Sequence, residues 1–313
     1  IIRATNYCAA GAWTNYDYIL VDEFQDISVD RYNFLQFLRS KEPHTKLFCV
    51  GDDWQSIYRF AGSNMKLFYK FEEFFGFTEH CKIEKTYRFF NPLLDLSSSF
   101  IQRNPEQMRK DVKCNEEPLP PQALEPSLFP TDLIEIDGKE LRFRRSDMPY
   151  VRKWLRKHHT TDFDFYDCGN SQKKDSMLNE VKAIVSTIPS RESILLLGRY
   201  NYDVRTLGFY TDKKDFERGH ESLYVSINGR KIRFMSVHAA KGLEADHVIL
   251  INCNEGIYGF PSLVEDDPIL GYVLSEEDQY EYAEERRLFY VALTRARHHL
   301  YVLYNGDKPS PFV

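Results

Sequence analysis

Asp22 and Glu23 stand side by side at the end of an apolar run, Tyr18-Ile19-Leu20-Val21. Four buried-type residues delivering two carboxylates read as a parallel strand whose C-terminal end opens onto a crevice, where α/β sheets take their ligands. Such a pair suits a hard cation such as Mg²⁺ held together with nucleotide phosphates. The second carboxylate could also polarise an attacking water.

A second apolar run, Leu47–Val50, leads into Gly51-Asp52-Asp53-Trp54-Gln55-Ser56-Ile57-Tyr58-Arg59-Phe60-Ala61-Gly62-Ser63. Gln55 on that rim could hydrogen-bond a terminal phosphate or its attacking water. Tyr58 and Phe60 alternate about Arg59 as a stacking platform for unpaired bases would; core aromatics beside a surface cation are the competing reading. In Thr86-Tyr87-Arg88, Tyr87 could stack on a nucleobase and Arg88 contact phosphate bidentately, or the pair could be a core Tyr beside an exposed Arg. Ser236-Val237-His238-Ala239-Ala240-Lys241-Gly242-Leu243-Glu244 offers Gly242 for close backbone approach, with His238, Lys241 and Glu244 as polar groups. In the segment Glu284–Arg297, Leu288, Ala292 and Arg295 share a helical stripe, so Arg295 either meets an anion such as a triphosphate or ends a solvated basic helix.

The elements that position these groups follow βαβ grammar. Ile19–Val21 and Leu47–Val50 are expected as buried strands flanking a helix over Val29–Leu38. Asn91-Pro92 reads as the N-cap and first residue of a helix running to about Arg103. A Pro-rich connection spans 116–130. Strands are expected at Leu133–Ile136, Phe163–Tyr166, Ile194–Leu197, Ile232–Val237, Val248–Ile251 and His299–Tyr304, with helices near 148–158 and 175–187 and over Glu276–Arg297. The fold class is α/β, with two parallel sheets side by side.

The 313 residues leave room for about two domains. A composition 42% hydrophobic and 28% charged is that of a globular chain rather than a disordered one. The formal charge of −6 excludes a wholly basic nucleic-acid binder but not a local basic groove. Six scattered cysteines, without CxxC or Cys/His ligand spacing, argue against structural zinc and for buried free thiols in a reducing cytoplasm. No run approaches the roughly 18 apolar residues of a membrane span, and no signal peptide is visible. The chain opens at Ile1-Ile2 without Met, and an excerpt from a longer polypeptide is expected.

In their order, these segments resemble superfamily 1 DNA helicases of the UvrD/Rep type, most nearly the helicase IV group. Asp22-Glu23-Phe24-Gln25-Asp26 corresponds to motif II, Gly51–Ser63 to III, Thr86-Tyr87-Arg88 to IV, His238–Glu244 to V and Glu284–Arg297 to VI. The resemblance implies two RecA-like domains of the P-loop NTPase fold. Residues 1–78 would be the C-terminal part of the first, truncated at its N-terminus, and 79–313 the whole of the second. It further implies ATP and Mg²⁺ as cofactors, with Asp22 and Glu23 at the metal and Glu23 activating water. Gln55 would sense the γ-phosphate, Tyr87 stack on adenine, Arg88 contact the γ-phosphate, Gly242 and Glu244 line the nucleotide and Arg295 serve as arginine finger. Tyr58, Phe60 and His238 would meet single-stranded DNA.

The implied activity is ATP-driven 3′–5′ translocation on single-stranded DNA, with unwinding of partly duplex DNA in repair or recombination. The N-terminal part of the same polypeptide would be the partner. Phe60 stands where many relatives carry Trp, and Ala245 where an aromatic is frequent. The stretch Arg199–Val237 is too short for a large accessory insertion. No G-x-x-x-x-G-K-[ST] phosphate loop occurs, since Gly138-Lys139 is followed by Glu140; the chain alone is therefore expected to lack ATPase activity. A non-catalytic nucleic-acid-binding or scaffold module on a degenerate helicase fold is the alternative, opposed by the intact Asp22, Glu23, Gln55, Arg88 and Arg295.

Overall fold

The computed structural model describes residues 1–11, 16–114, 131–136, 139–144, 161–171, 175–209, 222–264 and 280–313. The strands are β1 Tyr18–Val21, β2 Lys46–Cys49, β3 Lys85–Thr86, β4 Lys113–Cys114, β5 Thr131–Ile136, β6 Lys139–Arg144, β7 Asp162–Asp167, β8 Ile194–Gly198, β9 Ser222–Ile227, β10 Arg230–Ser236, β11 Ala245–Leu250 and β12 Ala296–Tyr304. The α-helices are α1 Ile2–Ala9, α2 Val29–Lys41, α3 Lys66–Tyr69, α4 Phe71–Phe75, α5 Leu93–Ile101, α6 Ser176–Thr187 and α7 Ala283–Leu293.

β1 and β2 pair in parallel, as the βαβ pattern requires, with α2 between them in the chain. Ser28 caps α2 by accepting the Arg31 N–H. These strands are not buried on both faces, contrary to expectation. Ile19, Val21, Leu47 and Cys49 pack on Phe24, Ile27, Leu35, Leu67 and Phe75. Tyr18 and Phe48, 62% and 60% exposed, leave the other face open together with Leu20. Among the described residues nothing packs over that face, so period-2 alternation puts every second apolar side chain in solvent.

The second sheet has six strands in the order β7-β12-β11-β8-β10-β9, all parallel except β9. At its centre, Leu195–Leu197 of β8 and Val248–Leu250 of β11 are buried on both faces, hence the unbroken apolar runs there. Leu195, Leu197, Val248, Leu250, Leu300 and Val302 pack with α5 and α7. Leu196, Ile249, Tyr301 and Leu303 pack on the opposite side with Val181, Ile184 and Val185 of α6. The β9–β10 hairpin was not foreseen, although Asn228 and Gly229, at φ 51° and 75°, supply the left-handed pair that a two-residue turn demands.

Three helix boundaries differ from expectation. Asn91 is not an N-cap: Pro92 holds that position without a side-chain cap, and α5 ends at Ile101. Its entry is fixed instead by Thr161, whose carbonyl accepts the Leu93 N–H at 3.2 Å and whose Oγ1 accepts the Phe90 N–H at 3.0 Å. The helix expected through Arg297 ends at Leu293, because Ala296 onward joins the sheet as β12. Arg295 therefore occupies the turn between α7 and β12. The proposed helix at 148–158 and the Pro-rich 116–130 lie outside the described residues, as does 276–279. All six cysteines are free, and Cys81 is exposed rather than buried.

Candidate functional site

The chain turns sharply where β1 ends. Glu23 adopts the left-handed region at φ 50°, a conformation uncommon for a residue with a side chain. The Asp22 and Glu23 carboxylates are both exposed there. Phe24 then dives into the core and its N–H donates to the Val50 carbonyl at 2.8 Å, tying the turn to the end of β2. Gln25, fully buried, joins the two rims. Its Nε2 donates to Glu23 Oε2 at 2.5 Å and its Oε1 accepts the Asp52 N–H at 2.8 Å. Only glycine fits at position 51, because a Cβ there would lie 2.7 Å from Gln25 Oε1 and 2.8 Å from the Phe68 ring.

Groups from the six-stranded sheet close over this rim. Lys241 Nζ, following β10, lies 2.6 Å from Asp26 Oδ2 and 3.3 Å from Glu23 Oε2, and donates to the Gln55 carbonyl at 2.9 Å. Burial pushes the Asp26 carboxyl above its usual range more than Lys241 pulls it down. Lys241→Met leaves Asp26 buried without its partner and is expected to cost about 3 kcal/mol. The check is thermal unfolding: a fall of several degrees is expected, and an unchanged midpoint contradicts it.

Arg295 is 0% exposed. Its guanidinium donates to the carbonyls of Val291 (2.8 Å) and Leu243 (3.3 Å), to Thr294 Oγ1 (2.9 Å) and to Gln55 Oε1 (3.3 Å). Gln55 in turn donates to Asp52 Oδ2 at 2.6 Å. Burial, with the nearby Arg88 cation, lowers the Arg295 pKa to about 10. Arg88 pairs with Glu244 at 3.3 Å, and Glu244 also holds Arg297 at 3.0 Å. Tyr87 beside it is 70% exposed, with Lys85 Nζ 5.7 Å from its ring centroid. Gly242 turns the chain between Lys241 and Glu244 at φ 80°.

The aromatic residues of this loop meet the second sheet as well. The Tyr58 hydroxyl donates to the His238 carbonyl at 3.1 Å. The Phe60 ring, 59% exposed, sits edge-on to His238 at 5.5 Å and to Tyr58 at 5.9 Å. Arg59 pairs with Glu284 of α7 at 3.6 Å. Burial and the Arg199 cation lower the His238 pKa to about 3, so this ring offers a neutral edge rather than a charge. An open ring flanked by other rings is a surface on which a base can stack.

Of the residues singled out from the sequence, Glu23, Gln55, Lys241 and Arg295 meet at the junction, Arg88 pairs with Glu244 just beyond Gly242, and Tyr58, Phe60 and His238 meet at its side, while Asp22 and Tyr87 are placed only by their neighbours Glu23 and Arg88. Several partners were missed. Gln25 and Asp26 carry no sequence signal beyond adjacency to Glu23, and the pairing of Lys241 with Asp26 spans 215 residues. Arg287, buried in α7, donates to the Ser56 carbonyl at 2.6 Å. Lys110 lies 2.5 Å from both Asp52 and Asp53.

Residues 3–76 match the UvrD/REP helicase N-terminal domain and residues 216–307 the UvrD-like helicase C-terminal domain. The chain is 34% identical over 298 residues to DNA helicase IV of Escherichia coli (strain K12), covering 95% of this chain and 35% of that protein. It is 35% identical over 97 residues to DNA helicase II of Rickettsia typhi, covering 31% of this chain and 14% of that one. Against the ATP-dependent DNA helicase srs2 of Schizosaccharomyces pombe it is 33% identical over 101 residues, 32% of this chain and 11% of that one. The chain spans about a third of the length of the Escherichia coli relative. A largely parallel sheet with apolar faces on both sides is the RecA-like arrangement these domains imply. With both matched domains in order and 34% identity over 95% of its length to one such helicase, the chain belongs to the UvrD-like helicase family.

Proposed function

We propose that this chain is the nucleotide-closing and DNA-tracking portion of an ATP-dependent DNA helicase. Residues 1–78 would be part of a first motor domain and 79–313 the second. The observation that supports this most is the Gln55–Arg295 contact, which joins the loop after β2 to the turn before β12 at 3.3 Å. The exposed carboxylates of Asp22 and Glu23 are hard oxygen donors of the kind Mg²⁺ takes, and Arg88 and Arg295 suit a polyphosphate. Bound Mg²⁺–ATP supplies the phosphoryl-transfer chemistry. Glu23 takes the proton of the attacking water on its carboxylate, which Gln25 orients. Arg295 and Arg88 present positive charge from the other side, and Tyr87 offers its exposed ring to adenine.

Gln55 passes the state of that junction to Tyr58 and Phe60, three and five residues on, which with His238 hold bases of the single strand. Movement along that strand would run 3′–5′ and open partly duplex DNA in repair or recombination. The chain holds no Gly-Lys-Ser/Thr phosphate loop, so alone it should turn over ATP negligibly. The apolar face of Tyr18, Leu20 and Phe48 suits packing by the N-terminal part of the same polypeptide, in a cytoplasmic enzyme.

The test is fluorescence anisotropy of this chain with a labelled single-stranded oligonucleotide. Phe60→Ala and Tyr58→Ala are each expected to weaken binding by about 1–3 kcal/mol, about fivefold to 150-fold. Affinity unchanged in both variants would overturn the assignment of the DNA path.

A further inference from the structure

A cluster of metal-ligating side chains lies away from the motif residues, at the N-terminal end of the six-stranded sheet. Glu192 precedes β8, His247 is the third residue of β11 and His298 the third of β12. His247 Nε2 and Glu192 Oε2 are 2.6 Å apart, and His298 Nδ1 is 3.7 Å from the same oxygen. One ligand atom from each of the three residues lies within 4.8 Å of the others. His247 is buried, while Glu192 and His298 are half-buried.

The backbone is shaped to bring them together. β11 and β12 pair Ala245 with Ala296 but His247 with His299, so β12 carries one extra residue between these pairs. A bulge of this kind re-aims a side chain that regular alternation would send elsewhere. Here it turns His298 toward His247, the two rings lying 6.0 Å apart and nearly perpendicular. Tyr301 Oη stands 3.4 Å from His247 Nδ1, the nitrogen that is not directed at Glu192. That is the outer partner a ligating imidazole ordinarily has.

We propose that Glu192, His247 and His298 form a site for a divalent first-row transition metal of the zinc class, with water completing a tetrahedral set. Two imidazoles and a carboxylate are a donor set that zinc accepts, at about 2.0–2.2 Å from each atom. Around a tetrahedral ion neighbouring donors stand about 3.3 Å apart, so the Glu192–His247 pair must open from 2.6 Å. The half-buried Glu192 side chain can swing to allow it. The neutral His247 proton then moves from Nε2 to Nδ1, facing Tyr301. The ion would pin β8, β11 and β12 to one another at an end of the sheet remote from His238. The ligands come from two strands and the turn before a third, 51 to 106 residues apart, so no short spacing betrays them.

The chain, stripped with EDTA and titrated with Zn²⁺ against a chromophoric chelator, should take up one ion and unfold at a higher temperature when loaded. His298→Ala and Glu192→Gln should each weaken that uptake by about 100-fold or more, since outer-shell changes alone cost about 10–100-fold. Tyr301→Phe should weaken it by about 10-fold, a change a cysteine-bound ion would not register. Uptake unaltered in His298→Ala and Glu192→Gln, or a Kd no tighter than about 1 mM in the unaltered chain, overturns the proposal. If His298→Ala fails to fold, Glu192→Gln decides.

Discussion

Arg295→Ala, placed in the full-length polypeptide proposed above, is expected to lower ATP turnover by about 10³–10⁵-fold, the range for losing an arginine that stabilises transferring phosphoryl charge. The guanidinium has five donors, and four contacts already engage it with Val291, Leu243, Thr294 and Gln55. It is thus a fixed group, placed by the turn after α7. Removal also strips buried carbonyls of their partner, at about 1–3 kcal/mol each. Arg295→Lys separates the two effects, because it keeps the charge and some of the bonding but not the fork. Both variants should retain nucleotide binding within an order of magnitude while losing turnover, read by steady-state hydrolysis beside circular dichroism of the folded protein. Turnover at the unaltered rate in Arg295→Ala would remove Arg295 from the site.

Glu23→Gln is expected to lower hydrolysis by about 10²–10⁴-fold, the usual contribution of a positioned general base. The substituted amide keeps the shape of the side chain and an oxygen for Gln25 Nε2, but it cannot take a proton from water. It also loses the charge facing Lys241, 3.3 Å away. Because Lys241 remains paired with Asp26 at 2.6 Å, stability should change little. Single-stranded DNA affinity should be retained, since Tyr58, Phe60 and His238 are untouched. A variant that hydrolyses ATP normally, or that loses DNA binding together with hydrolysis, would contradict the role given to Glu23.

Much of this site was legible because its parts sit where chain grammar changes. Asp22 and Glu23 end an apolar run, Gln55 follows the next run, and His238 follows Ser236 at the end of β10. Those positions are local, so the sequence carries them. What was not legible depends on long-range pairing. Lys241 reads from the sequence only as a polar group beside Gly242, and only folding brings it to Asp26. Arg295 was expected on the stripe of a long helix, yet the demand of β12 for a partner beside β11 ends that helix at Leu293. The open face of Tyr18, Leu20 and Phe48 was read as buried, since an apolar strand looks alike whether or not something covers it.

The proposed coupling between the nucleotide junction and the aromatic platform passes through Gln55, whose side chain meets Arg295 and whose carbonyl meets Lys241. The most direct measurement is ATP hydrolysis by the full-length polypeptide with and without single-stranded DNA, for the unaltered protein and for Gln55→Ala. DNA should raise the unaltered rate by about 5–150-fold, the span of ordinary coupling between sites, and Gln55→Ala should erase most of that rise while still binding the oligonucleotide. Equal stimulation in both proteins, or none in the unaltered one, would contradict it.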